Sequence, residues 1–174
     1  MPARLNKLVK RLANEGLKTL QFFRGLEPQD WQQQIYVSGS QWRAREILGH
    51  LLDAEQGFHY LLGDVLLGGP GAPEGMDVNA HNEQHVSTLR TLDPAALLGA
   101  FAQARVTTLD LVRGMQPADL DRVGRHPFLG MATIEEMIKL IYRHNMLHQR
   151  DIRRALDSGV PVDADAANAP TPGG

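Results

Sequence analysis

Three histidines carry most of the chemistry that this chain could perform. His144 and His148 stand four residues apart in Arg143-His144-Asn145-Met146-Leu147-His148, a spacing that puts both imidazoles on one face of a helix. That face is apolar, since Met137, Leu140, Ile141, Leu147 and Ile152 surround the pair at helical intervals. An imidazole turned into a core needs a hydrogen-bond partner or a metal, because a buried polar group left unsatisfied costs about 1–3 kcal/mol. His50 is the third candidate. It shares a helix face with Ile47, Ala54, Gly57, Phe58 and Leu61, again a packing side. Glu46 and Asp53 flank it at one-turn spacing, where a carboxylate can orient a ligating ring by accepting its second N–H. The same pattern also suits core-edge histidines satisfied by backbone or carboxylates, with solvated acids beside them. The residues alone leave both readings open.

As ligands, three neutral imidazoles from two helices suit a borderline divalent ion, Zn²⁺ or Ni²⁺ first, with Mn²⁺ or Fe²⁺ as alternatives. Three protein ligands leave a fourth position for water or substrate, as in catalytic zinc sites, unless Asp53 or Asp151 closes the sphere. Competing patterns are absent from the sequence. There is no H-E-x-x-H, and neither His144 nor His148 follows a Glu at the three-residue spacing of di-iron bundles. His126, in Gly124-Arg125-His126-Pro127, is placed to cover one end of a bundle and approach an ion, or simply to pack the loop. Asp151, one turn beyond His148, is placed to bind that ring's free nitrogen, with Arg143 beside the pair. His59 falls opposite His50 and reads as solvated. His81 and His85 belong to a polar stretch with no apolar stripe to bury them. Ser87, Ser158 and the threonines lack a paired base, so no side chain stands out as a nucleophile, and the catalytic residues stay unknown.

The composition narrows the setting. The chain has 174 residues, 43% of them apolar, enough for one domain with a proper core. Eighteen basic residues against twenty acidic ones leave a net charge of −2, without the basic stripe of a nucleic-acid binder. No cysteine is present, which removes disulfides, thiolate metal sites and a Cys nucleophile together. Arg4, Lys7, Lys10 and Arg11 break up the first apolar residues, so no signal-peptide core forms, and no uninterrupted apolar run approaches the ~20 residues of a membrane span. These features fit a soluble, cytoplasmic protein acting on a small molecule, with neither nucleic acid nor membrane as partner.

The elements that must position the histidines follow from periodicity and punctuation. Leu5, Leu8, Val9, Leu12, Leu20 and Phe23 mark an amphipathic first helix, closed by Gly25 and Pro28. Residues 29–41 form a connector whose Trp31 and Tyr36, with Trp42 just beyond, can pack over the bundle end. A second helix spans about residues 43–67, with Ser40 as an N-cap candidate and Gly68-Gly69-Pro70-Gly71 as its stop. A long loop follows, with a short helix over residues 79–90. Asp93-Pro94 opens a third long helix whose apolar stripe ends at Gly114. Residues 116–132 read as another loop. Thr133-Ile134-Glu135-Glu136 is a capping-box pattern that starts the last helix, which runs to about Leu156 and stops at Gly159 and Pro161. The expected fold is all-α, an up-and-down four-helix bundle with an extra short helix and long connecting loops. The domain covers residues 1–161, and 162–174 are a tail too poor in apolar residues to pack.

Three segments together resemble the DinB-like superfamily of bacterial proteins, including its YfiT-like members. Trp42 followed by Glu46-Ile47-Leu48-Gly49-His50-Leu51-Leu52-Asp53-Ala54-Glu55 resembles the family's W…E-x-x-x-H-L-x-x-x-E opening. Gly124-Arg125-His126-Pro127-Phe128-Leu129-Gly130 resembles the loop before its last helix. Thr133-Ile134-Glu135-Glu136 with His144 and His148 resembles its closing T-x-x-E…H-x-x-x-H helix. The resemblance implies a metal bound by one histidine of the second helix and two of the last, positions filled here by His50, His144 and His148, and commonly a homodimer. It further implies a metal-dependent enzyme, first of all an S-transferase or isomerase that uses a low-molecular-weight thiol such as bacillithiol or mycothiol. The sequence offers no thiol-binding residues to match. The alternatives are metal-assisted hydrolysis and a non-catalytic metal-binding stress-response or interaction protein.

Overall fold

The computed structural model describes residues 2–163. Its helices are α1 (Ala3–Arg24), α2 (Ala44–Leu66), α3 (Val78–Leu89), α4 (Pro94–Gly114) and α5 (Ile134–Ser158), with strands β1 (Val123–His126) and β2 (Gly130–Thr133) just before α5. The long helices α1, α2, α4 and α5 form a four-helix bundle and α3 lies against α2, as the periodicity predicts. Local chemistry sets the boundaries. Asp93 Oδ1 accepts from Ala95 N at 2.6 Å to cap α4, and Thr133 and Glu136 exchange the reciprocal bonds of a capping box, 3.2 and 2.8 Å, to start α5. Ser40 is not the cap of α2. Residues 37–41 make a tight turn, with positive φ at Gly39 (59°) and Gln41 (42°). The helix instead begins after Arg43, whose N–H is taken by Glu46 Oε2 at 2.9 Å.

The core falls into two clusters, and they fix the chain's direction. α2 and α4 both begin in one, through Leu48, Leu51, Leu97 and Phe101, and both end in the other, through Leu62, Val65, Leu109 and Val112. α1 and α5 run from the second cluster to the first. The bundle therefore runs up, down, down, up. Two neighbours can share a direction because the α2–α4 connection is long enough to return along the bundle, from Gly71, bridged to Arg125 at one end, to Val86, buried in the first cluster at the other.

Between the clusters every long helix carries polar residues at the same level: Glu15 and Thr19 on α1, Glu55 on α2, Arg105 and Thr108 on α4, Asn145 and Gln149 on α5, all buried. Arg105 donates to both Glu55 oxygens, at 2.8 and 2.7 Å, and to the Leu12 carbonyl at 2.9 Å, while Thr108 also donates to Glu55. With its amide turned to satisfy both ends, Asn145 accepts from Arg105 at 2.8 Å and donates to the Ile141 carbonyl. α4 is long and apolar enough to cross a bilayer by length and composition, but it packs here as a core helix with its arginine in this network.

Two stretches read as irregular are structured. Residues 116–132 hold a 3-10 turn (Pro117–Asp121) and the β1–β2 hairpin, paired antiparallel from Val123↔Thr133 to His126↔Gly130. Four-residue strands are too short for a period-two signal to register, and β1 is held from outside, exchanging two 2.7 Å backbone bonds with Pro70 and Ala72. At the other end Val162 is buried and pairs with the connector through Val37 N–Val162 O (3.0 Å) and Val162 N–Ile35 O (2.7 Å). Val162 thus packs one residue past the expected limit of 161; residues 164–174, the rest of the expected tail, lie outside the described residues.

Candidate metal centre

The first half of α2 buries His50 at 6% exposure, its ring 4.7 Å from that of Trp42. The register set by the α5 capping box carries His144 and His148 to the same level, both half-buried. His144 Nε2 lies 2.9 Å from His50 Nε2 and 2.9 Å from His148 Nε2, and the three ligand nitrogens all fall within 4.8 Å of one another. A neutral ring nitrogen has a single in-plane direction, either N–H or lone pair, so His144 Nε2 cannot make two linear hydrogen bonds. A shared ion removes that conflict. With Zn–N bonds of ~2.0–2.1 Å, nitrogens sharing one ion would stand roughly 3.3 Å apart, a few tenths of an ångström more than the 2.9 Å between His144 Nε2 and each of the other two.

The protonation states suit ligation. Burial holds His50 well below the usual histidine range, with the neighbouring His144 adding to the effect. His148 is lowered by burial and then by His144 and His50, and His144 falls to about 4 through burial and then His126. At neutral pH all three rings are uncharged and able to offer lone pairs.

Tyr36, read from sequence only as packing, completes the arrangement. Its hydroxyl stands 2.7 Å from His148 Nδ1 and 3.2 Å from Asp151 Oδ2. A carboxylate only accepts, so Tyr36 donates to Asp151 and takes the His148 Nδ1–H on its own oxygen, leaving His148 Nε2 bare toward the other rings. Burial, and then the Asp151 charge, push the phenol upward, so it stays protonated. Asp151 therefore acts on His148 through Tyr36 rather than directly as the spacing suggested. The signal in the sequence was slight, because nothing local ties residue 36 to residue 148; the Val162 bridge delivers it. Tyr36→Phe should weaken metal binding about 10–100-fold, the usual effect of losing a ligand's supporting bond, with little change in fold. Competition against a chelator measures it, and unchanged affinity would remove Tyr36 from the site.

The other sequence-predicted residues divide. Glu46 and Asp53 do not orient His50: Glu46 caps α2 and pairs with Arg90 at 2.9 Å, and Asp53 turns to α3 to meet His85 at 2.8 Å. Among the described residues His50 Nδ1 has no hydrogen-bond partner. His59 is not solvated, its Nε2 lying 2.8 Å from Thr108 Oγ1 and 3.1 Å from the Ala104 carbonyl. α2 packs on both α5 and α4, so the side opposite His50 is also covered. Arg143 is exposed and lines, with Lys18, Met146 and Arg153, a groove of about 810 Å³ that includes none of the three histidines.

His126 is buried, with its ring 5.4 Å from that of Phe58. Its Nδ1 accepts from Phe128 N and Leu129 N at 3.0 and 3.2 Å, so Nε2 carries the proton and is not a ligand lone pair. Burial lowers this ring to about 4. Above the unfolded pKa of ~6.5 it is neutral folded or unfolded and contributes nothing to pH dependence. As pH falls below that value the unfolded chain binds a proton that the folded chain refuses, so stability drops until about pH 4, by on the order of 3 kcal/mol. Asn offers an acceptor near the Nδ1 position without titrating. Metal-free His126→Asn should therefore lose less stability than the parent between pH 7 and 4.5 in denaturant unfolding; equal losses would contradict the assignment.

Residues 3–152 match the DinB superfamily. The chain belongs to that superfamily. Among solved structures this DinB protein is similar to YfiT from Bacillus subtilis, described as a probable metal-dependent hydrolase with an unusual four-helix bundle topology, at 19% identity and a TM-score of 0.73 over 92% of this chain and 91% of that one. It is also similar to a mycothiol-dependent maleylpyruvate isomerase, at 13% identity and a TM-score of 0.71 over 87% of this chain. It spans 61% of the isomerase's length. At these identities the likeness is one of fold, a YfiT-like four-helix bundle. No curated protein matches the chain in sequence.

Proposed function

We propose that this DinB protein is a divalent-metal enzyme, with His50, His144 and His148 as the ligands, that transfers or isomerises a small electrophile using a low-molecular-weight thiol. One observation carries the reading. Three imidazole nitrogens converge while both carboxylates able to close the set are held elsewhere, Asp53 by His85 and Asp151 by Tyr36 and Arg150. That leaves a position for an exogenous group, the mark of a catalytic rather than a structural site. A bound ion supplies Lewis-acid activation, lowering the pKa of a coordinated thiol or water. The chain's own groups do the rest. Trp42 packs over His50 and keeps water from its ring, and Tyr36 holds the His148 proton at Nδ1. Because the chain has no cysteine, the thiol must arrive as a cosubstrate, and the likeness to the mycothiol-dependent isomerase supports that source. The all-nitrogen donor set suits Zn²⁺ or Ni²⁺.

Hydrolysis, with water in place of the thiol, is the second reading, supported by the near full-length likeness to YfiT. The test is a rate assay of the metal-loaded protein with a panel of low-molecular-weight thiols and a chromogenic chloronitrobenzene, beside activated esters and amides. Thiol transfer above background, abolished by chelator and restored by Zn²⁺ or Ni²⁺, supports the first reading. A chelator-sensitive rate confined to hydrolysis supports the second. Full metal loading with neither rate would leave a non-catalytic metal-binding protein.

A further inference from the structure

The polar stretch around α3, which offers no apolar stripe to bury its histidines, contains a second cluster of ligand-type groups. His81 and His85 stand four residues apart on α3, so both rings leave one face of the helix, and that face meets Asp53 of α2. His85 Nδ1 lies 2.8 Å from Asp53 Oδ1 and His81 Nε2 lies 3.7 Å from Asp53 Oδ2. The two rings are 4.0 Å apart, inclined at 31°. All three ligand atoms fall within 4.8 Å of one another.

The geometry points to a second divalent-cation site, formed by Asp53, His81 and His85 and separate from the three-histidine centre. Two imidazoles and one carboxylate make a recurrent donor set for first-row ions, with positions left open for water. The carboxylate is the most enclosed member, its side chain 15% exposed against 37% and 45% for the two rings. A charged oxygen pair is thus fixed at the base, with the rings on its open side and an entry path from solvent. One divalent ion at this point would meet both imidazoles and the carboxylate at once. The consequence is mechanical. Within α3 only Val86 is buried, so an ion tying His81 and His85 to Asp53 would clamp α3, and the return connection it belongs to, onto α2.

Zinc titration of the metal-free full chain separates this site from the first. The parent should bind two equivalents, one much more tightly. His81→Ala/His85→Ala should keep the tight equivalent and lose the weaker one, while His148→Ala should do the reverse. Both rings are substantially exposed, so the double variant should fold, and its metal-free melting temperature checks this. Asp53→Asn, which keeps the shape and removes the charge, should also lose the weaker equivalent. The parent's melting temperature should rise further between one and two equivalents of zinc, and the double variant's should not. A parent whose every bound equivalent persists in the double variant overturns the proposal. The three-histidine centre is reported separately by His148→Ala.

Discussion

Replacing His144 with alanine should take the tightly bound metal from about one equivalent per chain to near zero and abolish the chemistry that depends on it. His144 is the middle ring, 2.9 Å from each of the other two ligand nitrogens, so its loss leaves two ligands that no longer share a neighbour. Removing a supporting bond around a ligand typically costs 10–100-fold in affinity. Losing a ligand should cost more, and we expect at least ~1,000-fold, with activity down at least ~100-fold, a barrier increase of about 2.7 kcal/mol. His148→Ala should behave alike. The fold should survive, because α5 keeps Met137, Ile138, Ile141 and Ile152 in the core and the substitution removes a half-buried polar ring. Elemental analysis after dialysis against a weak chelator, with helical content measured in parallel, reads the result. Retention of a full tight equivalent in both variants would mean that the ion sits elsewhere. Loss of metal without loss of activity would separate the centre from catalysis.

The largest stability effect should come from Arg105. Its side chain is 5% exposed and that of its partner Glu55 1%, and its remaining donors go to the Leu12 carbonyl and Asn145. Arg105→Met would strand the Glu55 carboxylate in the core, and breaking one side of a buried pair costs about 3–5 kcal/mol. For a domain of this size that is a fall in melting temperature of roughly 6–20 °C. Glu55→Met should do comparable harm by leaving the guanidinium alone. The double substitution should cost less than either single one, because two apolar side chains of similar volume leave no uncompensated charge. A double variant as unstable as the sum of the singles would show that the two residues act independently. Gly16 belongs to the same arrangement: a Cβ there would come within 2.9 Å of Arg105 Cγ, so the guanidinium's route between α1 and α4 depends on the missing side chain.

How far the sequence could be read depended on whether a feature was local. The long helices were legible because apolar stripes, Asp93-Pro94 and the Thr133–Glu136 box act within a few residues. His144 and His148 were legible as a pair because helical geometry alone puts them on one face. His50 could be proposed as their companion but not placed against them, since no local rule relates residue 50 to residue 144. The roles of Asp53 and Asp151 were misread for the same reason: one-turn spacing to a histidine allows a hydrogen bond, yet a nearer partner from another element, His85 in one case and Tyr36 in the other, claimed each carboxylate.

Local pattern by itself determined that this chain forms long amphipathic helices, where they begin and stop, and that a histidine pair faces inward on the last. Tertiary structure decided that a third imidazole joins the pair, that Tyr36 sets the His148 tautomer, that α2 and α4 run in the same direction, and that residues 123–133 make a hairpin. The physical reason is range. Hydrophobic periodicity and capping are energies between residues a turn apart, whereas a converging site is a sum of contacts across the bundle that exists only once the helices have packed.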